Sequence, residues 1–479
     1  MEADIMKSYI DELDTNILPF VDYEGYADRY PALSAQSFSA DFYDEIRHAS
    51  RMLFQIFCKA AKVFQQAPNE FALNMDMPEN LIPYLHRGNP LGLPTWLSRF
   101  DFVLDDRRQL RMVEINADTP CFLIESYYAN GVAARYFDKV DPNIDAYNEL
   151  ERFLKRVYEG TSRKKYSVTN KHHNMMTDNE IEPFVFGCFH DYLEDYGTTQ
   201  FLLHAMKSAC PEADIRFLSF YDMVIDDDGI LLSDGSHAAN LYRLHPMELL
   251  IDETTADGEP LGEMFLDLYN EYRFNLFNPP EAIILQNKSF MSLVYALYLT
   301  NQFFTGPERD IIKRYLTPSY FESDFPNLDD GLYIQKEIWG REGRNIQVVQ
   351  KRGNQGELYM EKFVDNYDDI VCRDSQKVMY QEFIKQKHFT HTVDSGTKEG
   401  CLTLSCFMLG DQASAVGCRF SPEEIAGTEA YFVIRSADKV DFVVVNSDFS
   451  MGDLKMKLSQ QVKGKVTTAK AIIPSANGS

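Results

Sequence analysis

The chain has 479 residues, 73 of them Asp or Glu and 47 Lys or Arg, giving a formal net charge of −26; 45% are hydrophobic and 25% charged. Such a length supports two or three domains around at least one large core, and so ordinary a composition excludes extensive disorder. The acidic balance excludes general binding to nucleic acid, although a polyphosphate remains compatible with it, because screening beyond about 8 Å lets a local cluster of Lys and Arg outweigh remote acid.

At the start of the chain, "MEADIMKSYIDELDTN" is acidic and lacks the basic segment and apolar core of a signal peptide. No apolar run of about 18 residues predicts a membrane span. The eight cysteines form no CxxC pair and the ten histidines show no metal-ligand spacing around them, which reads as reduced thiols and a cytoplasmic location. Residues 1 to about 95 read as mostly helical, with "FYDEIRHASRMLFQIFCKAAKVFQQ" (42–66) carrying apolar residues at helical spacing.

"RFDFVLDDRRQLRMVEINADTP" (99–120) alternates on both sides of "DDRR", which predicts two antiparallel strands. Glu114 and Asn116, two apart, share a face. A four-residue loop from Asp106 to Gln109 pairs Leu110 with Asp105 and sets Asp101 opposite Glu114 on that face, whereas a one-residue slip turns Asp101 away. In this register two carboxylates and an amide carbonyl offer hard oxygen ligands, suited to Mg²⁺ rather than zinc. Carboxylates so close also call for a cation. The alternative is a solvated sheet edge. This hairpin and the helical region before it form a first domain, 1–180, ending in a polar, His-rich, loose stretch at 162–180.

The second domain, 181–275, begins with strand "FVFGCFH", acidic loop "DYLED", helix "TTQFLLHAMKSAC" and strand "DIRFLSF", a βαβ unit. The hairpin "MVIDDDGILL" follows. Ligands lie at the carboxyl ends of strands in such sheets, where the loop Asp191–Asp195 falls. Glu194 and Asp195, with Thr198 near the helix start, are either ordinary helix N-terminal residues or an anionic pocket for an amine substrate.

The third domain, 276–450, is antiparallel and β-rich after a helix that begins beyond Asn287. Lys288 at that helix start opposes the macrodipole unless an anion lies between them. Lys336 interrupts the apolar strand "LYIQKEIW", where an unpaired ammonium is costly and a phosphate would resolve the cost. The loop "GREGRN" brings Gly340 and Gly343, which let backbone N–H groups approach anionic oxygens, with Arg341 and Arg344 as cations. A plain glycine turn is the alternative. "VMYQEF" (378–383) reads as a buried strand able to present hydrogen bonds to an adenine edge, and Arg419 in "AVGCRF" needs an acidic or phosphate partner. Residues 451–479 gain Lys, lose acid and read as a weakly ordered basic tail. No Ser/His/Asp or Cys/His arrangement stands out for nucleophilic catalysis.

The order of these segments resembles the synthetase module of glutathionylspermidine synthase, a circularly permuted ATP-grasp carboxylate–amine ligase, over roughly residues 20 to 440. The resemblance implies an α+β / α/β fold that is ATP-grasp-like, with a βαβ pre-grasp unit and an antiparallel β-rich nucleotide-binding region. It implies ATP and two Mg²⁺ ions. Asp101, Glu114 and Asn116 match the magnesium ligands, Arg99 lies beside the phosphates, and Lys288 and Lys336 match the two ATP-phosphate lysines. Glu342 and Gly343 sit in the flexible phosphate loop, and Gln381 and Glu382 fall on the adenine-side strand. Glu194, Asp195 and Thr198 match the acidic substrate motif, and Arg419 the arginine that stabilises the reacting centre. The implied activity phosphorylates a carboxylate from ATP and lets an amine attack the acyl phosphate, joining a peptide acid to a polyamine-like amine. Its partners are then small molecules, with no nucleic acid and no membrane. Three departures stand beside the resemblance. The resemblance starts near residue 20, so the amidase domain that precedes the module in bifunctional enzymes is expected to be lacking, Cys121 and Phe122 replace small hydroxyl residues, and "GCRFSPEEIAG" lacks an acidic residue after the arginine. Two other readings stay open: a catalytically silent ATP-grasp protein that binds nucleotide or a partner, and ligation to a protein or cell-envelope peptide.

Overall fold

The computed structural model describes residues 11–19, 21, 28–161, 182–361, 372–425 and 430–437; the loose stretch expected at 162–180 and the tail at 451–479 lie outside them. In chain order its first elements are β1 (Pro31–Phe38), α1 (Ala40–Gln66), β2 (Leu97–Leu104), β3 (Leu110–Asn116), α2 (Ala146–Thr161), β4 (Phe184–Cys188), α3 (Leu193–Ala209) and β5 (Ile215–Ser219). There follow β6 (Val224–Asp226), β7 (Gly229–Leu231), β8 (Asn240–Leu244), β9 (Asn275–Phe277), α4 (Ala282–Gln286), α5 (Ser289–Leu299) and α6 (Gly306–Tyr315). The remainder is β10 (Ser319–Phe321), β11 (Gly331–Glu337), β12 (Gln347–Arg352), β13 (Gln355–Glu361), β14 (Val378–Glu382), β15 (Phe389–Val393), β16 (Gly396–Leu409), β17 (Gln412–Ser421) and β18 (Tyr431–Ala437), with shorter helices between.

These strands form a seven-stranded sheet in the order β1-β18-β17-β16-β2-β3 with β15 also on β16, a five-stranded sheet β10-β14-β11-β12-β13, a four-stranded sheet β5-β4-β8-β9, and the hairpin β6-β7. The mixed α/β class expected from the sequence is what the chain adopts. β4 reads "FVFGC", apolar throughout and fully buried, as a central strand of a parallel sheet must be. α1 lays its apolar stripe against β16 and β17. There Phe57 meets Phe100 and Phe290 edge-on at 5.7 and 5.5 Å between ring centres, each such burial contributing about 1.5–3 kcal/mol.

Three local expectations need correcting. β1 falls in the part read as mostly helical; its pairing is parallel, with β18, at the far end of the chain, and no local pattern announces so distant a partner. α3 begins at Leu193, five residues earlier than read, so Glu194 and Asp195 occupy its first turn and not a loop, a position that the positive end of the helix favours for carboxylates. In the β2–β3 hairpin, Leu110 pairs with Leu104 rather than Asp105. A bulge at Val113 then inserts one residue, and Asp101 comes opposite Glu114 after all.

Candidate active site

The row Asp101, Ser405, Gly417 crosses β2, β16 and β17. Because Ser405 and Gly417 are small, Arg419, two residues along β17, reaches back over them to Asp101, its Nη2 standing 3.1 Å from Oδ2. Arg99 takes the same carboxylate from the other side with two parallel bonds of 2.9 Å, and Asn116 donates Nδ2 at 3.2 Å. Asp101 and Arg99 are both buried. The charge balance that the sequence reading leaves to a metal is supplied here by the protein's own cations.

Glu114, beside this group, bonds Lys288 at 2.8 Å. Burial would raise its pKa, but Lys288, Lys336 and Arg99 together draw it down to about 2. Lys288 stands immediately before α5 and donates to the Gly340 carbonyl at 2.7 Å, tying the helix start to the glycine loop. Lys336 on β11 is buried; its ammonium donates to the Val113 carbonyl of the bulge at 3.1 Å and to Gln381 Oε1 at 2.9 Å. Burial lowers its pKa to about 8, with Glu114 opposing and Lys288 adding to the fall. Gln381 is fully buried and passes its amide to Ser319, while Glu382 turns to Tyr320 at 3.1 Å. Next to Glu382 a concavity of about 450 Å³ opens between β14 and β11, lined among others by Tyr320, Asp329, Leu332, Tyr333 and Phe383.

The glycine loop takes left-handed backbone at Glu342 (φ +50°) and Gly343 (φ +79°). Arg341 binds the buried Glu248 through Nη2 and, at 3.1 Å, through Nε, and Arg344 turns to Cys372. Three carboxyl groups, Glu194, Asp195 and Glu342, lie within reach of the charges of Arg99, Arg341 and Arg419. Glu194 keeps accessible surface, yet desolvation, with Glu342 adding, raises its pKa. Asp195 is pushed up to about 7 by burial and Glu194. Thr198 is buried one turn further into α3. The structure therefore bonds Arg99, Asn116 and Arg419 to Asp101, Lys288 to Glu114 and Lys336 to Gln381, brings the first two groups together by the pairing of Asp101 with Glu114, couples Lys336, Glu194 and Glu342 to them through charge, and turns Glu382 aside.

Some residues of this region escaped the sequence reading. Glu125 is buried, accepts a hydrogen bond from Tyr30 at 2.8 Å, and is pushed to about 7 by burial and by Glu194. Arg243 and Asp118 form a buried pair linking β8 to the loop after β3, and Asp118 also accepts from the Met247 N–H at 2.8 Å. Arg243 interrupts the strand "NLYRL" as Lys336 interrupts its own, so the same signal was there. Among the described residues no three His, Cys, Asp or Glu side chains are grouped to hold a metal; the Asp101, Glu114, Asn116 set has two carboxylates and an amide.

The glutathionylspermidine synthase preATP-grasp family model matches residues 17–436. A Haemophilus influenzae protein carrying the name "Putative acid--amine ligase" is 23% identical over 290 residues, 56% of this chain and 63% of that protein. The chain thus spans less than two thirds of that relative's length. Among solved structures, a glutathione synthetase-like effector from Globodera pallida, in its apo form, superposes with a TM-score of 0.53 at 11% identity, covering 91% of this chain and 96% of that one. At such identity the likeness is one of fold.

Proposed function

The chain belongs to the glutathionylspermidine synthase family, and from that premise we propose that it is an ATP- and Mg²⁺-dependent ligase joining a carboxylic acid to an amine. The observation that carries the reading is the gathering of four cations from separate segments about the two facing carboxylates Asp101 and Glu114: Arg99 and Arg419 bond Asp101, Lys288 bonds Glu114, and Lys336, held by neutral acceptors, acts on Glu114 through its charge alone. So many cations about so few anions suit a polyphosphate.

Lys288 and Lys336 hold the ATP phosphates in this reading, and the Gly340–Asn345 loop covers them and excludes water. The concavity beside Glu382 takes the base. Asp101, Glu114 and Asn116 fit Mg²⁺ by chemistry: all three carry hard oxygen donors and Glu114 is ionised throughout the neutral range, while Asn116, whose nitrogen now faces Asp101, would have to turn its amide over to offer its oxygen. Mg²⁺ bound there would neutralise charge spreading over the transferred phosphoryl group. In this reading Arg99 and Arg419, released from Asp101, meet the substrate carboxylate and the oxyanion that forms when the amine attacks its acyl phosphate. Glu125, Glu194 and Asp195 receive the amine. An ammonium must lose a proton before it can attack, and Glu125 and Asp195, each pushed up to about 7, both hold and release one at neutral pH.

The test is ADP release by the purified chain with Mg²⁺, ATP, an acid and an amine, with glutathione and spermidine as the first pair and other small acids and amines after them. The expected result is release that needs both partners and falls at least about 100-fold in Lys336→Ala and in Glu114→Ala, with the circular dichroism spectrum of the folded protein retained. Wild-type turnover in either variant overturns the site; magnesium-dependent ATP binding without release for any pair turns the reading toward a nucleotide-binding protein.

A further inference from the structure

Phe122 has φ +77°, a left-handed backbone that a bulky residue rarely adopts, and it is 4% exposed. Such a conformation persists only where the surroundings over-determine it, and here they do. A Cβ at Gly417 would stand 2.3 Å from the Phe122 ring, so the ring fills the space a side chain there would need. Phe432 closes the other side edge-on, 6.0 Å between ring centres. Gly417 and Arg419 are two apart on β17 and present to the same side, which brings the Arg419 guanidinium carbon 5.6 Å from the centre of the Phe122 ring, within reach of a cation–π attraction. The Nε of Arg419 is buried without a hydrogen-bond partner, so Asp101 and this ring are its principal restraints. Immediately before Phe122, the Cys121 carbonyl accepts from Arg99 Nη1 at 2.7 Å.

We infer that Phe122 is a positioning residue: the kink at Cys121–Phe122 sets the spacing of the two arginines about Asp101, its peptide holding Arg99 and its ring holding Arg419 toward the reacting carbonyl. The last clause rests on the ligase reading; the placement of the arginines does not. It also gives the glycine of "GCRF" a reason, since any side chain at Gly417 would displace the ring that steadies Arg419.

Two measurements separate these parts. In the first, arginine Nε–Hε resonances are recorded by NMR, that of Arg419 being the one missing from Arg419→Lys. The ring current displaces it in the wild type; Phe122→Leu abolishes the displacement and Phe122→Tyr retains it. A resonance unmoved by Phe122→Leu overturns the inference whether or not the protein is a ligase. In the second, with a productive acid and amine, Phe122→Leu lowers kcat about five- to tenfold, as expected for one lost cation–π contact, with KM for ATP unchanged. Phe122→Tyr restores kcat, and in an Arg419→Lys background Phe122→Leu has almost no further effect. Losses that simply add in the double variant, or a KM effect alone, contradict the positioning role. If Phe122→Leu does not fold, pentafluorophenylalanine at this position keeps the shape, reverses the ring's charge distribution and is read by the same two measurements. If the NMR arm holds but no pair is ligated, the ligase reading fails and the shelf under Arg419 stands.

Discussion

Lys336 is a buried ammonium whose two acceptors, a carbonyl and an amide oxygen, are neutral. Burial therefore prevails and brings its pKa from 10.5 to about 8. The sign follows: below that value the residue is charged and costs the folded state stability, and the cost disappears as pH rises through 8 toward the unfolded value. For phosphate binding the order is reversed. ATP affinity, measured by calorimetry between pH 7 and 10, is expected to be greatest below 8 and to weaken by up to about tenfold per unit above it, and Lys336→Arg should remove that limb because guanidinium stays charged. An affinity flat across the range in the wild type would mean that Lys336 does not meet the phosphates. Much of this was legible from the sequence, since a lysine in an apolar strand demands a partner. Glu125 was not, because the Tyr30 hydroxyl that marks it out lies 95 residues away. The facing of Asp101 and Glu114 was read correctly through two differences that cancel: a loop one residue longer than counted, and a bulge at Val113. Bulges carry no residue signature strong enough to be seen in one sequence.

Elements here are joined by polar side chains more than by loops. Asp118 and Arg243, both buried, couple the end of β3 to β8, and Asn278 after β9 binds the backbone of Trp96, Leu97 and Asp118 at 2.7–2.8 Å. Removing one member of a buried ion pair leaves the other uncompensated, at a cost of about 3–5 kcal/mol. Arg243→Met is expected to lower stability in urea by that amount, and Asp118→Asn with it to recover part of the loss; an undisturbed midpoint for Arg243→Met would show that water already reaches Asp118. The strands that carry Asp101, Glu114, Lys336, Gln381 and Arg419, the long helix α1 and the βαβ unit followed from periodicity and composition; the strands β8, β9, β10, β13 and β15 did not. Nor did β1, for a reason that applies to any strand whose partner lies across the whole sequence.

The whole molecule is strongly acidic, yet its cleft gathers four cations about the place proposed for the phosphates. At 0.01 M ionic strength the field of the net charge extends about 30 Å and repels ATP while attracting an amine; at 0.15 M it extends about 8 Å and only the cleft is felt. Stopped-flow association is therefore expected to become faster with salt for ATP and slower for a cationic amine, by several-fold each. The same sign for both would mean that remote charge plays no part. The placement of β16, β17 and β18 between β1 and β2 has a further consequence, for the making of the chain. A ribosome releases Asp101, Arg99 and Glu114 long before it has polymerised the strands that complete their sheet, and until then β2 presents an open edge of the kind that templates aggregation. β16 seals that edge and its neighbour β17 delivers Arg419, so the nascent protein loses the open edge of β2 and gains its full charge cluster in the same late step.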